Sequence, residues 1–113
     1  MMMYLRPDEV AQVLLRAGFI RDAVCDQAYG FHKGEHYVYV NREVRLGRTA
    51  LLIHPALAQR SLRFAQPSDA QRSSPAYVRF PPLPDAASPT FVGIPHGFTS
   101  RERLTRYLAQ MFP

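Results

Sequence analysis

Residues 31–41, "FHKGEHYVYVN", followed by "ALLI" at 50–53, constrain this chain more than any other stretch. Polar and apolar residues alternate on both sides of a glycine, which is the pattern of two paired strands. Residues 27–41 are therefore expected to form an antiparallel hairpin. Lys33-Gly34 would be its two-residue turn, with Gly34 taking the positive φ such turns require. His32 then faces Glu35, and Phe31 faces His36. Side chains sort with period two. Tyr29, Phe31, His36, Val38 and Val40 fall on one face, the better core face. Gly30, His32, Glu35, Tyr37, Tyr39 and Asn41 fall on the other. "RTALLIH", residues 48–54, is apolar on both sides at its centre and is expected to be the most buried strand.

Helices flank this sheet in sequence. Pro7 suits a first helical position, and Asp8 and Glu9 favour the positive end of the helix dipole. Val10, Val13, Leu14 and Ala17 recur at helical spacing. Gly18 can end the helix in a left-handed conformation, with Phe19 packing back. The spacing predicts a helix over about Pro7 to Ala17. At the other end, "TSRE" reads as a capping box with Glu102 three residues after Thr99, so Thr99 or Ser100 opens the last helix. Leu104, Leu108 and Met111 form its apolar stripe, with Tyr107 beside it. Arg101, Arg103 and Arg106 lie off that stripe.

Between these parts the signals are weaker. Pro55 ends the central strand or opens a short helix through about Gln59. Residues 65–75 read as a loop, "AYVRF" at 76–80 as a short strand, and "PPLPDAASP" at 81–89 as a proline-rich connector. "TFVGIP", 90–95, is a last short strand. The expectation is one α+β domain over residues 1–113. Its small antiparallel sheet carries the N- and C-terminal helices on one face (α-β-β-β-(β)-α), with a loop-rich insertion at about 65–89.

Composition narrows the functional classes. The formal charge is +5, and Lys33 is the only lysine among 14 basic residues. A basic surface favours anionic partners, nucleic acid first. Genomic bias toward arginine gives the same composition with no partner at all. Cys25 stands alone, which excludes an internal disulfide and suits a reducing compartment. The start shows no signal peptide, and no apolar run approaches the roughly 20 residues a membrane helix needs. The chain reads as cytosolic, without a membrane partner. Its oligomeric state is not written in the sequence.

Candidate sites are few. His32, His36, His54, His96 and Cys25 match no zinc spacing, so no metal is expected. No nucleotide-binding or nucleophile-elbow motif is present, and no cofactor is expected. His36 is the one candidate for catalysis, as a base toward an RNA 2′-hydroxyl. A histidine bonded at the core rim outweighs that reading, so no catalytic residue is assigned. Arg42, Arg45, Arg48, Arg101, Arg103 and Arg106 are the expected nucleic-acid-binding set. Tyr37, Tyr39 and Asn41 form a second candidate face. If helices cover only one side of the sheet, these side chains are exposed and suit either base stacking or a protein partner. The third possibility is that they pack beneath the 65–90 segment. The favoured function is a small basic nucleic-acid-binding module, and the alternative is a non-catalytic protein-interaction module.

"VLLRAGF", "GEHYVYV" and "VGIPHGFTSRERLTRYL" together resemble the HicA-type toxins. The resemblance implies a double-stranded-RNA-binding-like fold and a ribonuclease with His36 as its base. Glu35 stands where that family usually has a small hydroxyl residue, and residues 55–90 are an insertion relative to it. "YVYVNRE", "TALLIHP" and "IPHGFTSRE" also resemble a family of short uncharacterised proteobacterial proteins, over most of the chain. That family implies no biochemical function.

Overall fold

The computed structural model describes residues 3–24, 27–42, 49–74, 77, 79–80 and 91–113. Cys25, Arg45, Arg48 and the connector at 81–89 lie outside them. Among the described residues six antiparallel strands form one sheet in the order β1-β2-β3-β4-β6-β5. They are β1 (Ile20–Val24), β2 (Ala28–Lys33), β3 (His36–Asn41), β4 (Leu51–Ile53), β5 (Arg72–Ser74) and β6 (Phe91–His96). Helices α1 (Pro7–Arg16) and α3 (Arg101–Met111) lie on one face of it, and a 3-10 turn at Pro55–Leu57 runs into the single-turn α2 (Ala58–Ser61).

The hairpin forms with its faces as expected and its turn displaced by one residue. Lys33 pairs with His36, His32 with Tyr37 and Phe31 with Val38, so Gly34-Glu35 is the turn. Gly34 has φ +61°, and among the described residues no non-glycine residue has positive φ. A turn with glycine first and an ordinary second residue suits the type II′ geometry, which a Lys33-Gly34 turn would not allow. The shift changes every cross-strand partner yet preserves parity, so no side chain changes face. Tyr29, Phe31, Val38 and Val40 still join Leu51 and Ile53 under the helices.

Both helices form for the reasons legible in the chain. The Glu9 carboxylate accepts from the Arg6 N–H at 3.1 Å, closing the start of α1. At its end Gly18 has φ +96°, and the Phe19 N–H reaches the Leu14 carbonyl at 3.0 Å. Ser100, not Thr99, caps α3, its hydroxyl accepting from the Arg103 N–H at 3.1 Å. The expected box with Glu102 at the third position is thus out of phase by one residue. Arg101 and Glu9 meet at 3.2 Å near the helix starts, while Phe19 and Phe112 stack edge-on at 5.4 Å near the ends. The two helices therefore run side by side in the same direction. Lys33 Nζ donates to the Phe112 carbonyl at 3.0 Å, placing its positive charge at the negative end of α3.

The other sheet face is also covered. Ala28, Tyr39, Leu52, Tyr77 and Phe80 form a second buried cluster, with Tyr37 and Phe91 against it. Tyr77 and Phe80 belong to a turn, in which the Phe80 N–H meets the Tyr77 carbonyl at 3.0 Å. Among the described residues of "AYVRF" no strand forms. The turn is strapped down by the Tyr39 hydroxyl, which accepts from the Arg79 N–H at 3.0 Å. Gly30 and Gly93 make room for this layer: a Cβ at Gly30 would collide with the Tyr37 hydroxyl, and one at Gly93 would lie 3.1 Å from Phe80. Strands β1 and β5, both at sheet edges, were not expected. β5 arises inside the stretch read as a loop.

A two-faced core predicts that Leu51→Ala and Leu52→Ala destabilise the protein to a similar degree, each by about 2–5 kcal/mol. Their side chains point to opposite faces and both are fully buried. Urea denaturation of the two variants checks this, and a much smaller loss for Leu52→Ala would mean that only the helical face is core.

Candidate functional site

An open cleft of about 660 Å³ lies between α3 and the chain that follows α2. Arg103, Arg106, Tyr107 and Gln110 line it from α3, at the i, i+3, i+4, i+7 spacing of one helix face. Phe64 and Gln66 line the opposite wall, and Phe98 contributes from the segment between β6 and α3. Arg103 and Arg106 are exposed, and among the described residues neither has an ion-pair partner. Arg101 differs, since it is held by Glu9. Glu102 also stands on the rim, the one carboxylate among the described lining residues.

Ser61 holds the two walls together. Its carbonyl accepts from the N–H groups of both Phe64 and Ala65 at 2.9 Å, which shapes the first wall. Its hydroxyl meets Tyr107 Oη at 2.6 Å and His96 Nε2 at 3.1 Å. All three residues are buried. His96 Nδ1 lies 3.1 Å from the Ile94 carbonyl, which can only accept. Nδ1 therefore carries the proton and Nε2 accepts from Ser61, which in turn accepts from the Tyr107 O–H. The chain of bonds is directional and requires a neutral histidine. Burial does lower the His96 pKa from 6.5, outweighing the opposing effect of the Ile94 carbonyl. Burial also pushes the Tyr107 hydroxyl up to about 12, against the smaller opposite effect of its bond to Ser61. A serine beside a histidine resembles half of a hydrolase site, but Ser61 is 1% exposed and does not line the cleft. Its role here is to position Tyr107 and the Phe64 turn. Arg60 adds a further tie, donating to the Gln110 carbonyl at 3.2 Å.

The residues singled out from sequence are dispersed. Arg42 lies at the end of β3 with its guanidinium 4.5 Å from the Tyr29 ring centre, and Arg21 approaches the same ring at 5.8 Å. The cleft contains Arg103 and Arg106 but not Arg42. Arg45 and Arg48 lie outside the described residues. Tyr39 and Asn41 are 2% and 1% exposed, so the open tyrosine face does not form. The Tyr77–Phe80 turn covers it. Tyr37 stays half-buried and donates to Asp22 at 3.2 Å, and Arg79 approaches Asp22 at 3.8 Å. Burial first, then the charges of Tyr39 and Asp22, raise the Tyr37 pKa. These groups, with His32 and Glu35, border a second open hollow of about 420 Å³.

His36 is exposed, not at a buried rim, and its ring packs 5.2 Å from that of Phe112. It lines neither hollow. Among the described residues no three of histidine, cysteine, aspartate and glutamate gather as metal ligands, and no helix is long and apolar enough to cross a membrane. Phe64 and Gln66 line the cleft and Ser61 ties its walls, yet sequence reasoning passed over these three, and it weighed His96 only as a metal ligand. The one available signal was Phe64 beside Arg60 and Arg63 in a stretch with no strand or helix periodicity to bury it.

Fold and cleft together define a small basic α+β domain with an arginine-rimmed, aromatic-floored groove. The chain belongs to the family described as "Protein of unknown function (DUF2002)", whose model matches residues 3–112. It is 52% identical over 110 residues to a protein called "Uncharacterized protein YgaC" in Escherichia coli O6:H1 (strain CFT073), covering 97% of this chain and 96% of that one. Proteins of the same name in Escherichia coli O157:H7 and Shigella flexneri match at the same 52% identity and coverage. The comparisons do not show the resemblance to the HicA-type toxins.

The neutral histidine sets a pH dependence. His96 and His54 both have folded pKa values lowered by burial from 6.5, so below that pH the unfolded chain takes up protons that the folded chain refuses. Their contribution to stability is complete above about pH 6.5 and is lost as the pH falls toward the folded values. Urea midpoints at pH 7.5 and 5.5 should show the lower stability in acid, and His96→Gln should flatten the difference in part, leaving the His54 share. Ser61→Ala, which strands the Tyr107 hydroxyl and His96 Nε2 in the core, should cost about 1–3 kcal/mol at pH 7.5.

Proposed function

We propose that this protein binds nucleic acid through the outer face of α3. The observation that carries the reading is the pair Arg103 and Arg106, exposed on the rim of a preformed cleft with no ion-pair partner among the described residues. Arginines whose charge is satisfied within the fold are poor phosphate ligands, because a bond must first break. These two carry no such cost. Arg60 and Arg63, both exposed, add positive charge on the turn that leads into the other wall. The formal charge of +5 raises the local concentration of any polyanion.

One observation favours a different partner on the same surface. Leu62 and Phe64 are 48% and 39% exposed, and apolar side chains beside arginine are also typical of protein interfaces. Salt separates the two. Binding through about four phosphates gives a log–log slope of affinity on salt near −3 to −4. A protein interface has no counterion release of that size.

Fluorescence anisotropy with labelled 20-nucleotide RNA and DNA, titrated with salt, tests the reading. Wild-type protein should bind at 50 mM salt with that slope. Arg103→Ala combined with Arg106→Ala should weaken binding and reduce the slope by about two. If no oligonucleotide binds at 50 mM salt, the proposal fails.

A further inference from the structure

We infer that the α3 cleft takes an unpaired base, so that the protein prefers a single strand over a duplex. The inference rests on the nucleic-acid reading above and specifies what the cleft adds to it. Phosphate contacts alone need only a flat basic surface. Here Arg103 and Arg106 instead edge a hollow of about 660 Å³, a size that matches pockets for small organic ligands.

Three features of the hollow suit a nucleobase. Phe64 is a large aromatic side chain left 39% exposed on the wall, although the core is close by. An exposed ring offers a stacking surface that every base can use. Gln66 and Gln110 place amide donors and acceptors on opposite walls, which suits the edges of a base. Glu102 is the decisive case. On a surface that only bound phosphate, a carboxylate between Thr99 and Arg106 would repel the ligand. Toward a base, the same carboxylate accepts from an exocyclic amino group. The arrangement divides the work between two arginines for the backbone and one acid with two amides for the base.

The cleft is also rigid. Ser61 fixes the Phe64 turn through its carbonyl and Tyr107 through its hydroxyl, so both walls are set before any ligand arrives. A base within a duplex is stacked and paired and cannot enter such a hollow without being extruded. A single strand presents its bases at little cost.

The test uses the full chain and one labelled 20-nucleotide sequence, as single-stranded RNA, single-stranded DNA and the DNA duplex. Both single strands should bind at least tenfold more tightly than the duplex at equal salt. Phe64→Ala should weaken single-strand binding about tenfold or more, leave the salt slope unchanged and leave duplex binding unaffected. The chain contains no tryptophan, so Phe64→Trp supplies a reporter in the same place. Its fluorescence should be quenched by the single strands and not by the duplex. Equal affinity for single strand and duplex, or loss in Phe64→Ala that is the same for both, overturns the inference while leaving nucleic-acid binding intact. Absence of binding to all three oligonucleotides overturns both readings at once.

Discussion

Leu51, Leu52 and Ile53 have no exposed side, and the rest of the architecture follows from that. A three-residue strand apolar on both faces, at the centre of a six-stranded sheet, must be covered twice. Two helices cover one face. Among the described residues no third long helix covers the other, and an irregular turn carrying Tyr77 and Phe80 serves instead. Irregular cover is held by specific bonds, because it lacks a regular element's own hydrogen bonds. Hence the Tyr39 hydroxyl on the Arg79 N–H, and the Arg79 guanidinium near Asp22 on the edge strand. The aromatic layer this creates consumes the tyrosines that alternation places on that face.

The helical layer has a polar bond chain at its heart. Placing serine, histidine and tyrosine in a core is unfavourable unless each donor and acceptor is matched. The match here works in only one direction, from Tyr107 through Ser61 to His96 and on to the Ile94 carbonyl. Protonating His96 would turn Nε2 into a donor toward Ser61 and leave one proton of the Ser61–Tyr107 hydroxyl pair without its acceptor in the core. The chain therefore reinforces the effect of burial in keeping the imidazole neutral. Its structural consequence is a fixed distance between α3 and the turn after α2, which an all-apolar contact would hold less specifically.

What could be seen in the sequence divides along the range of the interactions. The hairpin faces depend on parity alone and were legible, even with the turn placed one residue early. The α1 ending at Gly18-Phe19 depends on neighbours within five residues and was legible too. The capping residue of α3 was ambiguous between Thr99 and Ser100 because both can accept the same bond. The edge strands were hidden for a different reason. "IRDAV" and "RSS" show no apolar alternation, since an edge strand is specified by the strand beside it more than by its own side chains. The cleft was least visible. Ser61 and Tyr107 are 46 positions apart, and Arg60 and Gln110 are 50 apart. No local pattern announces such a meeting. The arginines of α3 were noticed as a group, but not that only two of them face a hollow.

The division among those three arginines is itself informative. Arg101 sits one residue after the cap and reaches Glu9 at the start of α1, tying the two helix starts. Exposed pairs of this kind contribute roughly 0–1 kcal/mol, so the tie is weak. Arg103 and Arg106 line the cleft beside Glu102, and among the described residues neither is held in an ion pair. A surface selected only for stability would be expected to pair them, since an acid on the turn after α2 would add a small gain at no structural cost. Instead Arg60 in α2 is followed by Arg63 and an exposed phenylalanine. Exposed cations and an exposed aromatic ring close together cost stability, through mutual repulsion and exposed apolar area.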